Sequence, residues 1–208
     1  MFAPIRILCL LAILVPGAAL SDSNFVRLNL QRGFSLEVPR DWRILTDDQN
    51  KMIDLSAEAV ARITSIDLPD GEEATLLAMN SMPANTYAAI RVSSIRPAEV
   101  HPDEVRAITQ AELKQLDEYF EAVFRELLPH QGNQLLAFVG THLGEVEGYP
   151  AIIVEYRRSG PRGPVFVQIS QIYTPSQELR INLSHREQEA GIWGPVIDVI
   201  RSSIRISE

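Results

Sequence analysis

The sequence has a single cysteine in 208 residues, Cys9, and it lies in a stretch read below as a leader. A mature chain without cysteine has no disulfide, no thiolate nucleophile and no Cys-ligated metal. Positive charge is also short. The 19 Lys and Arg residues are outnumbered by 27 Asp and Glu, for a net charge of −8. Nucleic acid is bound through clusters of Lys and Arg, and anionic lipid attracts polybasic segments, so neither is an expected partner. The chain has no Gly-x-Ser-x-Gly elbow, no His-Glu-x-x-His, no glycine-rich phosphate loop and no dinucleotide fingerprint. It has no internal repeat, no low-complexity tract and no linker between two domains. No catalytic residue, metal or cofactor is assigned from the sequence.

What is present is a globular composition. Apolar residues make up 46% and charged residues 22%, enough apolar side chains for a core and too few charges for a disordered chain. Met1 to Ala19 reads as a secretory signal peptide: Arg6 is the positive region, Ile7 to Val15 the apolar region, and Gly17-Ala18-Ala19 supply small residues at the cleavage site. The apolar run is too short to span a bilayer, which takes about 20 residues. Cleavage would leave residues 20–208 as one domain, periplasmic or secreted, with no stable membrane insertion. An uncleaved anchor is the competing reading.

Leu135 to Leu183 is the stretch that organises the rest. Leu179, Ile181 and Leu183 alternate with Glu178, Arg180, Asn182 and Ser184. Val165, Val167 and Ile169 alternate in the same way, as do Ile152, Val154 and Tyr156 against Ile153, Glu155 and Arg157. A period of two places the apolar set on one face of a sheet and the polar set in water. Gly148-Tyr149-Pro150 and Ser159-Gly160-Pro161-Arg162-Gly163-Pro164 punctuate the strands. Links this short imply antiparallel pairing.

Phe25 to Val38 reads as a hairpin turning at Gln31-Arg32-Gly33, and Trp42 after Pro39 is expected to anchor its loop on the core. Asp47 or Asp48 would cap a helix to about Ile63. Thr75 to Met82 and Thr86 to Ile95 read as two strands. Pro102 to Leu128 predicts one long amphipathic helix, with Val105, Ile108, Leu113, Leu116, Phe120, Val123, Phe124 and Leu127 on its apolar face, stopped by Pro129 and Gly132. A last helix spans about Glu187 to Ser203, with Trp193, Val196, Ile197 and Ile200 buried. Gly194-Pro195 would favour a start near Pro195. Ser203 to Ile206 could form a short terminal strand.

The order of elements carries a resemblance. It runs through Phe34-Ser35-Leu36-Glu37-Val38-Pro39-Arg40-Asp41-Trp42, the long middle helix, Gly148-Tyr149-Pro150-Ala151 leading a strand, and Trp193-Gly194-Pro195-Val196 with Ser202-Ser203-Ile204-Arg205 at the end. It resembles the PsbP-like (Mog-type) superfamily over roughly Phe25 to Ile206. The resemblance implies an α+β fold, an antiparallel sheet flanked by helices in an α/β/α sandwich. It also implies a non-enzymatic accessory domain, without naming a partner.

Four sets of residues are candidates for function. Arg157, Arg158 and Arg162 crowd one hairpin turn and would suit an acidic protein or envelope component; solvated charges satisfied by Glu155 or water are the plainer reading. Phe120, Phe124 and Tyr156 would line a pocket between sheet and long helix if the chain carried a small molecule or lipid. His142 with Glu145 and Glu147 is the best metal trio, against a solvated turn. His185, beside Arg186 and Glu187, could serve as a general base, but no nucleophile or orienting partner accompanies it.

Overall fold

A computed structural model describes residues 24–45 and 72–207. The leader Met1 to Ala19 and the helix expected from Asp47 or Asp48 to Ile63 lie outside the described residues. Within them the strands are β1 (Phe25–Asn29), β2 (Phe34–Pro39), β3 (Arg43–Ile44), β4 (Glu72–Asn80), β5 (Ala88–Arg96), β6 (Leu135–Val146), β7 (Tyr149–Arg158), β8 (Val165–Tyr173), β9 (Glu178–Arg186) and β10 (Arg205–Ile206). The helices are α1 (Pro102–Arg106), α2 (Gln110–His130) and α3 (Ala190–Ser202). Seven strands pair antiparallel in the order β3-β4-β5-β9-β8-β7-β6, and three form a small sheet in the order β1-β2-β10. The fold is mixed α+β, an antiparallel sheet between helical and hairpin layers.

Register explains the two layers. Leu179, Ile181 and Leu183 of β9 stand opposite Ile172, Ser170 and Gln168 of β8, and Ile181 and Leu183 stand opposite Val92 and Ile90 of β5. These residues share the face that α3 covers with Trp193, Ile197 and Ile200, sealed by Phe34, Leu36 and Val38 of β2. Val165, Val167 and Ile169 point the other way. With Ile152, Val154 and Tyr156 of β7 they meet α1 and α2 through Val105, Ile108, Leu116, Phe120, Phe124 and Leu128. Three alternating strands thus feed two cores, because adjacent strands are offset in which residue of each pair is apolar.

That arrangement corrects the expectation that the polar set of β9 lies in water. Glu178 and Ser184 are buried and Arg180 and Asn182 half-buried, because both faces of the central strands are covered. Trp42 is 5% exposed and meets Trp193 edge to face, centroids 5.7 Å apart, so it anchors its loop on the α3 layer as the sequence implied.

The long middle helix is two helices. α1 ends at Arg106 and α2 begins after Thr109, whose Oγ accepts from Glu112 N at 3.3 Å while Glu112 Oε2 accepts from Thr109 N at 2.7 Å. This reciprocal capping box satisfies two of the N–H groups that a helix start leaves unpaired, so a fresh start at Gln110 competes with a continuous helix. Pro129 does not stop α2. It sits inside the last turn, and the helix runs to His130. α3 likewise starts at Ala190 rather than near Pro195. Pro195 is the sixth residue of α3, past the first turn, so it removes the bond an N–H there would give to the Gly191 carbonyl. Gly33 turns the first hairpin at φ +74, where a Cβ would overlap the Ser207 carbonyl. Ser207 N donates to Gly33 O at 2.8 Å, and β10 pairs with β2, confirming the terminal strand.

Candidate anion-binding cleft

At the end of the large sheet where β7 turns into β8, pairing brings four residues into one row. Arg186 N donates to Tyr87 O at 3.0 Å, Val165 stands opposite Arg186, and Arg158 stands opposite Val165. Tyr87, Arg186, Val165 and Arg158 therefore lie side by side across four strands, on the face that α2 only partly covers. The turn residues Gly160 to Gly163 form one wall and Ala84 and Thr86 the other, enclosing a cleft of about 280 Å³.

The cleft is cationic. Arg158 donates from Nη1 to Asn133 Oδ1 (3.1 Å) and Ser159 O (3.0 Å), and from Nη2 to Tyr87 Oη (3.1 Å). Its guanidinium carbon lies 5.9 Å from the Tyr87 ring centre, a cation–π distance. Arg162 Nη1 and Arg186 Nη1 donate to the same acceptor, Asn85 O, at 3.2 and 3.3 Å. Arg186, 7% exposed, is also paired with Glu189 Oε1. The other oxygen of Glu189 accepts from Tyr87 N (2.8 Å) and Trp193 Nε1 (3.2 Å). Glu189 is therefore fully engaged by protein donors. Among the described residues Arg158 and Arg162 have no carboxylate partner.

A fourth guanidinium lies behind Tyr87. Arg91 donates to the carbonyls of Met79 (2.7 Å) and Ile90 (2.8 Å) and to Asn80 Oδ1 (2.8 Å), all neutral acceptors. Burial holds its pKa below the ordinary arginine value, and the charge of Arg158 presses the same way.

The structure divides the arginine trio read from the turn. Arg158 and Arg162 line the cleft. Arg157 points to the opposite face, as an odd neighbour in a strand must, and pairs with Glu187 at 2.6 Å. Arg186, Tyr87 and Asn85 belong to the site and were not read from the sequence. His185 drew attention at that strand end, but its Nδ1 contacts Arg186 O at 3.0 Å and its ring lies 5.7 Å from Phe166, and among the described residues no hydroxyl is bonded to it.

Phe120, Phe124 and Tyr156 do come together, as a filled interface. Phe124 stacks on Tyr156 with centroids 4.2 Å apart, and Phe120 on Phe124 at 6.2 Å. Burial pushes the Tyr156 hydroxyl up to about 12. Rings in mutual contact leave no ligand-sized space between these three side chains. A second cleft, about 230 Å³, lies on the other face among Glu145, Ile153, Ile181, Leu183, Arg201 and Ile204. His142 and Glu145 are three apart on β6 and so face opposite ways, while Glu147 pairs with Arg205 at 3.2 Å. Among the described residues no three metal-binding side chains converge. No helix of the described residues is long and apolar enough to cross a membrane.

No protein-family model matches the chain, and no curated protein matches it in sequence. Solved structures do match in shape, and one of them shows a PsbP-like fold. The solution structure of cyanobacterial PsbP (CyanoP) from Synechocystis sp. PCC 6803 superposes with a TM-score of 0.51 at 12% identity, covering 93% of this chain and 99% of that one. A crystal structure of LpqN, described as involved in cell envelope biogenesis of Mycobacterium tuberculosis, gives a TM-score of 0.45 at 16% identity over 84% of this chain and 83% of that one. Identities this low speak to fold alone.

Proposed function

We propose that the mature chain, residues 20–208, is a single exported, non-catalytic accessory domain that binds an acidic region of another envelope protein through the β7–β8 turn. The observation that carries this reading is the pair Arg158 and Arg162. In a protein of net charge −8, two guanidiniums without carboxylate partners among the described residues flank one open cleft at a loop end. Loop ends of a rigid sheet are where binding residues concentrate. The leader-like Met1 to Ala19 supports export to the periplasm or beyond. The sequence resemblance to PsbP-like proteins supports an accessory role. The carrier reading loses its support with the stacking of Phe120, Phe124 and Tyr156.

The test is affinity capture from envelope extract with the mature chain and with Arg162→Glu. One set of proteins should bind the first and not the second, and should be released as salt rises through about 0.15 M, where screening acts beyond roughly 8 Å. Equal capture by both would move the binding surface elsewhere.

A further inference from the structure

We infer that the cleft framed by Tyr87, Arg158, Arg162 and Arg186 is a receptor for a single carboxylate, the side chain of an Asp or Glu on the partner protein. The inference rests on the proposed acidic partner and specifies its chemistry.

The donors are present and already oriented. Arg162 and Arg186 converge on one carbonyl oxygen, Asn85 O. Each spends a single nitrogen there. Arg186 is fixed from behind by Glu189, which Tyr87 N and Trp193 Nε1 hold in turn. Among the described residues the Nη2 and Nε groups of Arg162 and the Nη2 of Arg186 have no hydrogen-bond partner. They are the donors left for a planar anion, and the arginine fork matches a carboxylate in a bidentate way. Arg158 and Tyr87 close the inner end, with the phenol taking the Arg158 hydrogen bond and lying 3.4 Å from Ser184 Oγ. Arg91 adds positive charge behind them, and among the described residues its partners are all neutral acceptors.

Charge and size select the ligand. Three guanidiniums line the cleft, and Glu189 stands beside Arg186, where it would oppose a second negative charge. A single carboxylate is drawn in by Arg158 and Arg162 and meets less of that opposition than a phosphate dianion. A volume of about 280 Å³ suits an acidic side chain with its peptide unit. An anionic membrane is disfavoured, because the whole molecule carries −8 and a charged surface acts on all of it.

The experiment follows the arginine Nε–Hε resonances of the mature chain while adding blocked Gly-Glu-Gly tripeptide, its Gly-Gln-Gly counterpart, inorganic phosphate, or phosphatidylglycerol vesicles. The Glu tripeptide should shift the signals of Arg162 and Arg186 saturably, at about millimolar concentration for so small a ligand. The Gln peptide should not. Arg162→Gln should weaken the response about tenfold or more, the loss of a charge-assisted hydrogen bond. It should leave the fold unchanged, because Arg162 is exposed. Arg157→Gln should leave the response intact. Equal shifts with the Gln peptide, tighter saturation by phosphate, or binding to the vesicles would each overturn the carboxylate assignment. If the tripeptide binds but capture from envelope extract ignores Arg162, the carboxylate site stands and the partner reading falls. If capture depends on Arg162 and the tripeptide shifts nothing, the reverse holds.

Discussion

The two faces of the large sheet are built to opposite ends. The face under α3 is closed: Leu179, Ile181, Leu183, Ile90 and Val92 lie beneath Trp193, Ile197 and Ile200, and the β1–β2 hairpin seals the margin. On the other face α1 and α2 pack over β6, β7 and β8. Over β4, β5 and β9 that face carries Asn80, Arg91, Arg180, Asn182 and, at its end, Tyr87 and Arg186, set among the buried Ala78, Ala89 and Ser184. One side of the same strands packs mainly apolar side chains, and the other sets polar and charged groups among them. Among the described residues Arg91 meets three neutral acceptors, where burial of a cation is costly.

The comparison breaks most readily at Trp193. The indole is 7% exposed, meets Trp42 edge to face, and donates to Glu189. Trp193→Ala should destabilise by about 3–5 kcal/mol, as large-to-small core changes do, measured by urea unfolding. A loss below about 1 kcal/mol would mean that α3 is peripheral and the closed face is not where stability resides. The same variant frees Glu189, so it should also loosen Arg186 in the cleft.

Next comes the helical cover of the other face. Thr109 caps α2 through the exposed pair with Glu112. Thr109→Ala should cost about 1 kcal/mol, readable in the same unfolding experiment. The hydrogen bonds of Thr109 also hold the Glu112 carboxyl below the usual carboxylate range, though full exposure keeps that of little consequence for stability. If Thr109→Ala costs nothing, the break between α1 and α2 is set by packing of Val105 and Ile108 instead of by the cap.

A smaller effect concerns Glu178, buried at the start of β9. Burial raises its pKa, against the pull of Arg180 at 3.3 Å. The native state therefore holds this proton more tightly than the unfolded chain. By linkage that contribution is fully present below the unfolded pKa of about 4.5 and is lost as pH rises through the higher folded value. Glu178→Gln should remove this slope, so the stability difference between the two proteins should shift in favour of the variant as pH rises. A difference that stays flat from pH 4 to pH 8 would show that Arg180 has cancelled the burial.

Much of this architecture was legible in the sequence, and the reasons differ by element. Strands from Leu135 to Leu183 announced themselves by period-two patterning, and the first hairpin, Trp42 and the terminal strand followed from turn residues and one aromatic. The split helix was also legible after the fact. Thr109 and Glu112 stand at capping-box spacing, but the run of apolar residues at three and four ran across the box and outweighed it. The site was legible only in part. Arg158 and Arg162 could be read because they share one turn. Arg186 and Tyr87 could not, because β5 pairs with β9 across 82 or more intervening residues, and local pattern carries no signal for that register. The aromatic trio does meet. Helical spacing puts Phe120 and Phe124 on one face of their helix, but whether rings touch or stand apart is a matter of packing volume.

The smallest stability effect is the most decisive for the comparison, because it separates the two faces at a single turn. Arg157 and Arg158 are adjacent in β7 and so point to opposite sides of the sheet. Arg157 is paired with Glu187, and Arg158 with Arg162 borders the cleft. Replacing Arg158 would also disturb Asn133, Ser159 and Tyr87, so Arg162 is the cleaner probe. Arg157→Glu and Arg162→Glu each change the net charge by the same amount, from −8 to −10. Each should alter unfolding free energy by no more than about 0.5 kcal/mol, as exposed charges do. If general electrostatics governed binding, both variants would lose capture of envelope proteins equally. If the cleft is the binding site, Arg162→Glu alone should abolish it, and Arg157→Glu should bind as the unmodified chain does. Equal loss from both would reduce the turn to a patch of charge and remove the distinction between the faces at that end of the sheet.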